Sequence, residues 1–197
     1  MTTTERVVFT TRPSVVGHRG LGKGVVDGHT ENTLGSLLAV VAAGVDWVEL
    51  DVSRSADDVL VLHHNPSDER GGFLVDAMAA DLASRGVVRL EEALDALPAE
   101  VRVDLDVKPV LEDAVSGPDT VDLLLPVLRR ERSRRELLVT SFDVSALLRV
   151  RAALPEVPTG LLTWLDFPLR IAVPMAARLG VDVLGLHHRS FSRNDVE

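Results

Sequence analysis

The sequence contains no cysteine, and this absence excludes disulfide bonds and metal sites built on thiolates. A cysteine-free chain also fits a reducing compartment. The first residues lack a basic stretch followed by an apolar one, so no signal peptide is predicted. No apolar run approaches the ~18 residues that a membrane span needs. We therefore expect a cytoplasmic protein without a membrane span.

The chain also has no excess of positive charge. Its 197 residues carry a formal net charge of −9, and nucleic acids require basic surfaces. The single basic cluster, residues 129–135, contains a glutamate and is expected to be a solvated helix end. A nucleic-acid partner is therefore not expected. With 46% hydrophobic residues, residues 1–197 are predicted to form one domain with a substantial core.

Strand patterns alternate with helix patterns along the whole chain. Predicted strands lie near residues 14–18, 47–53, 59–63, 101–107, 137–142, 159–163 and 181–186. Predicted helices cover residues 34–43, 90–97, 120–130, 144–154 and 169–179. This alternation predicts an α/β fold with a parallel sheet. The turn between the second and third strands is too short for a crossover, which predicts a hairpin or a bulged extension.

Two further segments are expected to be irregular. The glycine-rich run at residues 17–28 matches neither common phosphate-binding glycine pattern, and it is expected to form a mobile loop between a strand and a helix. Residues 65–86 are expected to form a short insertion over one end of the sheet.

Acidic residues occupy one face of two predicted strands. In D-W-V-E-L-D-V, strand alternation places Glu49 and Asp51 on the same side, opposite an apolar face. The run V-R-V-D-L-D-V-K repeats this pattern with Asp106 and Lys108. In an eight-stranded parallel barrel, inward residues at the carboxyl ends of the strands build the active site. His18 ends the first predicted strand in the same way.

Converging carboxylates need a compensating charge. Two like charges ~4 Å apart repel by roughly 4 kcal/mol at an effective dielectric constant near 20. A hard divalent cation removes this conflict, and ligands that are all oxygen favour magnesium, calcium or manganese over zinc. Two other readings stay open. The second strand could be an edge strand with a solvated face, or the acids could pair separately with arginines.

Seven short motifs occur in order between about residue 14 and residue 186. They are H-R-G at 18–20, E-N-T at 31–33, E-L-D at 49–51, D-D-V-L-V-L-H-H-N at 57–65, L-E-E at 90–92, D-V-K at 106–108 and S-F at 141–142. Together they resemble the glycerophosphodiester phosphodiesterases of the phospholipase-C-like barrel superfamily. The resemblance implies a (β/α)8 TIM barrel that hydrolyses small glycerophosphodiesters to glycerol 3-phosphate and an alcohol such as choline or ethanolamine.

The resemblance also implies roles for seven residues. The general acid/base pair would be His18 and His64, since the fourth motif selects His64 over His63. The ligands of a divalent metal, Mg²⁺ or Ca²⁺, would be Glu49, Asp51 and Asp106. The phosphate would be held by Arg19 and Lys108. A catalytically silent phosphodiester-binding remnant is the alternative, and a phospholipase-D-like activity on lysolipids is a further one.

Three departures from the family pattern affect these expectations. Asn65 replaces the aspartate that follows the histidine, so a hydrogen bond orienting His64 could be weaker. Asp106 is one methylene shorter than the usual glutamate. Related chains continue with two further strand segments after the position of residue 186. The predicted barrel is therefore C-terminally incomplete, without its closing strands, and the oligomeric state cannot be read from the sequence.

Overall fold

The computed structural model describes residues 6–10, 13–68, 70–114 and 117–190. The strands are β1 (Val16–His18), β2 (Val25–Val26), β3 (His29–Thr30), β4 (Trp47–Arg54), β5 (Leu60–Leu62), β6 (Arg102–Val107), β7 (Leu137–Ser141), β8 (Thr159–Leu162) and β9 (Val183–Gly185). The helices are α1 (Leu34–Ala42), α2 (Ala79–Ala83), α3 (Leu90–Ala96), α4 (Thr120–Glu131), α5 (Val144–Ala153) and α6 (Leu169–Leu179). Short 3-10 turns lie at Leu74–Asp76, Leu111–Ala114 and His188–Ser190. No helix in these ranges is both long enough and apolar enough to cross a lipid bilayer.

Six parallel strands form the main sheet, in the order β1, β4, β6, β7, β8, β9. The short strand β5 pairs antiparallel with β4, which confirms the predicted hairpin. Within the described residues, β1 and β9 are the two edges and no strand joins them. A closed barrel of this type has eight parallel strands. The sheet therefore has the predicted architecture of an incomplete (β/α)8 barrel.

Strand β4 carries the acidic pair into the interior. It lies between β1 and β6, and all eight of its residues are buried, so it is not an edge strand with a solvated face. The register places Glu49 beside His18 of β1 and Asp51 beside Asp106 of β6. The predicted site residues on these three strands consequently meet at the carboxyl ends of the strands.

The opposite faces of the strands pack against the helices. Leu50 of β4 and Leu105 of β6 are fully buried in one cluster with Leu37 of α1, Leu94 of α3 and Leu124 of α4. Full burial of such a side chain contributes about 1.5–3 kcal/mol. Because side chains alternate along a strand, anchoring the apolar face also fixes the direction in which the intervening acids point.

The basic cluster at residues 129–135 is only in part the solvated helix end that was expected, because residues 129, 130 and 132–134 are exposed but Glu131 and Arg135 are buried. Glu131 is fully buried at the end of α4, and its Oε2 lies 3.0 Å from Nε of the buried Arg135. The Arg135 guanidinium also donates to the carbonyl oxygens of Leu94 at 2.9 Å and Leu97 at 3.4 Å. The cluster therefore ties the end of α4 to α3. A buried carboxylate requires such partners.

Both segments that were expected to be irregular contain short regular elements. In the glycine-rich loop, β2 and β3 form a hairpin. Its two turn residues, Asp27 and Gly28, have φ angles of 49° and 81°, as a type I′ turn requires. The described residues of the 65–86 segment, all except residue 69, contain α2, one 3-10 turn and an antiparallel bridge between Ser67 and Phe73, and are otherwise irregular.

Candidate active site

Three carboxylates from adjacent strands converge at the carboxyl ends of β4 and β6. Glu49, Asp51 and Asp106 are each at most 6% exposed, and one oxygen of each lies within 4.8 Å of the others. The shorter side chain of Asp106 still reaches this cluster, because the register sets Asp106 directly beside Asp51. The structure thus brings together all three of the predicted ligands.

Each carboxylate has one oxygen held by a neighbour. Glu49 Oε2 accepts a hydrogen bond of 2.8 Å from the backbone N–H of Arg19. Asp51 Oδ2 accepts one of 2.8 Å from Asn32 Nδ2, and Asp106 Oδ2 contacts the Lys108 ammonium. The backbone N–H of Arg19, the side-chain amide of Asn32 and the ammonium of Lys108 thereby fix the orientation of the three carboxylates.

The second oxygens point to a missing positive charge. Glu49 Oε1 and Asp106 Oδ1 are buried without a hydrogen-bond partner, and Asp51 Oδ1 lies 3.0 Å from Lys108 Nζ. Buried carboxylate oxygens that lack partners are costly. A set of three carboxylate oxygens is the donor chemistry that hard divalent cations prefer. The residues present therefore fit a divalent cation.

The pKa values in the cluster reflect burial and mutual repulsion. Burial, followed by the charge of Asp51, raises the pKa of Glu49 well above its ordinary value. Burial also raises the pKa of Asp106 to about 6, against the opposing effect of Lys108. Burial acts the same way on Asp51, but Lys108 and Asn32 outweigh it and lower the Asp51 pKa. Without a cation, Glu49 and Asp106 therefore retain protons above the ordinary carboxylate range, whereas Asp51 does not.

Two basic side chains lie against the carboxylates. Arg19 Nε is 3.1 Å from Asp51 Oδ2, and its Nη1 is 3.0 Å from Glu31 Oε1. The Lys108 ammonium contacts both Asp51 and Asp106. Among the described residues, Asp51 is the one acid of the three that pairs with an arginine, and Glu49 makes no ion pair, so separate pairing with arginines does not account for the cluster. The two predicted phosphate-binding residues therefore lie beside the three predicted metal ligands.

The two predicted catalytic histidines interact electrostatically. Burial, followed by the charge of Arg19, lowers the pKa of His18, and the charge of His64 lowers it further while Asp51 opposes the shift. His64 Nδ1 lies 3.0 Å from Asn65 Oδ1. An amide oxygen only accepts, so Nδ1 carries the hydrogen and Nε2 is left for other partners. Asn65 thus supplies the orienting hydrogen bond, although from a neutral amide.

Two cavities adjoin His64. One of about 400 Å³ is lined by Lys108, Phe142 and Trp164, among others, and the two aromatic rings stack with centroids 4.4 Å apart. The other, of about 460 Å³, is also lined by His63 and opens toward the 65–86 segment. A ligand could thus extend in two directions from His64. A third cavity of about 600 Å³ lies at the opposite end of the strands and contains none of the predicted site residues.

Asn32 lies at the centre of the site, although the sequence assigned it no role. It is 4% exposed. Its Oδ1 accepts from the Asp51 backbone N–H at 3.3 Å, and its own backbone N–H donates to the Arg19 carbonyl at 3.0 Å. Asn32 and Arg19 both have left-handed backbones, with φ angles of 55° and 57°. Asparagine tolerates this conformation better than most residues, and this tolerance was the signal available in the sequence.

The fold and the acidic cluster define a barrel-type α/β protein with a candidate cation site at the carboxyl ends of its strands. The model of the glycerophosphoryl diester phosphodiesterase family matches residues 18–195. The chain belongs to this family.

Curated relatives match over shorter segments. Glycerophosphocholine phosphodiesterase GDE1 of Eremothecium gossypii is 34% identical over 85 residues, which are 41% of this chain and 6% of that protein. The glycerophosphocholine phosphodiesterase gde1 of Schizosaccharomyces pombe is 43% identical over 56 residues, 26% of this chain and 5% of that protein. The matched segments thus span only a small part of these relatives.

Solved structures share the fold over most of the chain. A phosphodiesterase from Oleispira antarctica, in complex with the product sn-glycerol-3-phosphate, superposes with a TM-score of 0.77 and 25% identity, covering 93% of this chain and 78% of that one. A glycerophosphodiester phosphodiesterase described as putative, from Galdieria sulphuraria, gives a TM-score of 0.78 at 21% identity with the same coverage. The likeness to the Galdieria protein supports the fold alone.

Proposed function

We propose that this protein hydrolyses glycerophosphodiesters to glycerol 3-phosphate and an alcohol, with a divalent cation as cofactor. The observation that carries the proposal is the buried cluster of Glu49, Asp51 and Asp106, in which two oxygens lack partners. Membership of the family sets the substrate class. The names of the curated relatives make glycerophosphocholine the first substrate to test. A cytoplasmic location stays a prediction from the cysteine-free sequence.

The three carboxylates would hold Mg²⁺ or Ca²⁺. When bound, such a cation polarises a phosphoryl oxygen and orients a hydroxyl nucleophile. Arg19 and Lys108 would bind the negatively charged phosphate oxygens of the diester. Lys108 contacts Asp51 and Asp106, so its ammonium lies beside the carboxylates, where it would bind a phosphate oxygen.

The two histidines would divide the proton transfers. The lowered pKa of His18 keeps its imidazole neutral at neutral pH, so it can remove the proton of the attacking glycerol hydroxyl. His64, with Nδ1 held by Asn65, would act in its protonated form, in which both ring nitrogens carry hydrogen, and would donate the Nε2 proton to the departing alkoxide. The product of this step would be a cyclic phosphate that water then opens. General acid–base catalysis of this kind contributes on the order of 10²–10⁴ in rate.

The test is release of glycerol 3-phosphate from glycerophosphocholine by purified protein with Mg²⁺ or Ca²⁺. We expect turnover that falls by at least about 10²-fold in His18→Ala and in His64→Ala. His63→Ala is the matched control, since His63 bonds the Asn65 carbonyl instead, and it should retain activity. A folded protein that binds the cation but shows no turnover would support the alternative, a silent phosphodiester-binding remnant, for which the open edges β1 and β9 are the structural reason.

A further inference from the structure

One oxygen of Asp51 is engaged by Asn32 and Arg19, and the other contacts the ammonium of Lys108. Oδ2 accepts from Asn32 Nδ2 at 2.8 Å and lies 3.1 Å from Arg19 Nε. Oδ1 faces Lys108 Nζ at 3.0 Å, a contact that an incoming cation can replace. The same division into one held and one available oxygen occurs at Glu49 and Asp106. Each of the three carboxylates thus offers one oxygen to a cation.

Asn32 is held in place from several directions. Its amide group both donates to the Asp51 carboxylate and accepts from the Asp51 backbone. Its own backbone N–H bonds the carbonyl of Arg19, so the loop that follows β1 is fixed by the same residue. The φ angle of 55° is unfavourable for a residue with a side chain, and such conformations persist where the surroundings determine them.

The number of oxygens that each carboxylate offers affects which cation fits. Mg²⁺ requires near-octahedral coordination by six ligands, whereas Ca²⁺ accepts six to eight and often binds a carboxylate through both oxygens. We propose that Asn32 is a positioning residue that keeps Asp51 monodentate and thereby favours Mg²⁺ over Ca²⁺. The inference rests on the proposed function only in requiring that a cation binds. Outer partners of ligands commonly change metal affinity by about 10–100-fold.

The experiment titrates Mg²⁺ and Ca²⁺ separately into metal-free protein by calorimetry, without substrate. Asn32→Ala and Asn32→Gly both remove the amide, but glycine accepts the left-handed backbone. We expect the preference for Mg²⁺, expressed as Kd(Ca²⁺)/Kd(Mg²⁺), to fall by roughly tenfold in both variants. Asp27→Gly makes the same backbone change at an exposed position with a φ of 49°. It should leave the ratio unchanged.

Three results would overturn the inference. The ratio could stay constant in both Asn32 variants, or it could change in Asn32→Ala alone, which would assign the effect to the backbone. Wild-type protein that binds neither cation would remove the metal from the proposed function as well. If neither variant folds, a crystal structure of wild-type protein with Mg²⁺ decides. We expect Asp51 to bind through Oδ1 with Oδ2 on Asn32, and a bidentate Asp51 contradicts the inference.

Discussion

At the scale of single residues, the site depends on which groups hold protons. His18 has a lowered pKa because partial desolvation disfavours its charged form and because the charge of Arg19 opposes protonation. Glu49 and Asp106 have raised pKa values because they are buried near other acids. Opposite shifts within one small site are typical of catalytic centres. They also occur in structural networks, so measurements on individual residues are needed.

The first such measurement is the pH dependence of kcat/KM for wild-type protein. The acid limb reports the free enzyme's base. Because the pKa of His18 is lowered, the neutral imidazole persists to lower pH than usual. We expect a midpoint below the ordinary imidazole value of about 6.5. A midpoint at or above that value would contradict the assignment of His18 as the base.

A second measurement concerns Asn65, which accepts from His64 Nδ1 at 3.0 Å. In Asn65→Asp a carboxylate takes this position and stabilises the protonated imidazole. The basic limb of the kcat/KM profile should therefore move to higher pH by roughly one unit. If the profile does not move, His64 is not the acid of the reaction.

At the scale of elements, sequence patterns predicted more of the strands than of the loops. The alternation of apolar and acidic residues in β4 and β6 predicted which face of the sheet carries Glu49, Asp51 and Asp106, because successive side chains of a strand point to opposite faces. Asparagine tolerates the left-handed backbone found at residue 32, but the sequence alone does not show the contacts with Arg19 and Asp51 that give Asn32 its place in the site. The hairpin β2–β3 was missed, although its Asp-Gly turn is a known hairpin signal.

The burial of Glu131 was missed for a different reason. Its neighbours in sequence are arginines, and such charge alternation usually indicates a solvated helix face. In the folded chain, Arg130, Arg134 and Arg135 all contact this carboxylate. The contact between α4 and α3 that buries the group cannot be read from a single helix.

This buried pair gives a stability prediction. Glu131→Gln leaves the Arg135 guanidinium buried without its counter-charge, so the free energy of unfolding should fall by about 3–5 kcal/mol. The control is Glu136→Gln, which removes an exposed partner of Arg102 and should cost at most about 1 kcal/mol. Urea unfolding measures both values, and equal losses would show that the buried pair has no special role.

At the scale of the whole molecule, an acidic centre lies inside a sheet whose edges, within the part of the chain that the structure describes, are β1 and β9. The strands hold the carboxylates close together, because the apolar packing on the other face fixes them. The protonation of these acids should therefore be coupled to folding.

The coupling predicts how stability depends on pH. Desolvation raises the pKa of Asp106 to about 6. It also raises to about 8 the pKa of Asp104, which lies two residues before Asp106 on β6 and accepts from Thr140 Oγ1 at 2.8 Å. The unfolded chain ionises both near about 4. The folded state binds more protons, so this contribution to the free energy of unfolding decreases as pH rises through that window.

Thermal unfolding in EDTA should thus show Tm falling between mildly acidic and mildly alkaline pH. Saturating Mg²⁺ or Ca²⁺ should reduce this decrease and raise Tm, since a ligand that binds only the folded state stabilises it. Equal pH profiles with and without cation would contradict the coupling.

The central claim is that the cation bound by Glu49, Asp51 and Asp106 is required for hydrolysis of a glycerophosphodiester. Release of glycerol 3-phosphate from glycerophosphocholine, measured while the cation is titrated into metal-free protein, tests it most directly. We predict no release of glycerol 3-phosphate in EDTA and a rise in release that follows the cation-binding curve. In Asp51→Asn, cation binding and release should both be lost. Equal release in EDTA and in excess cation would contradict the claim, as would a folded, cation-saturated protein that releases nothing.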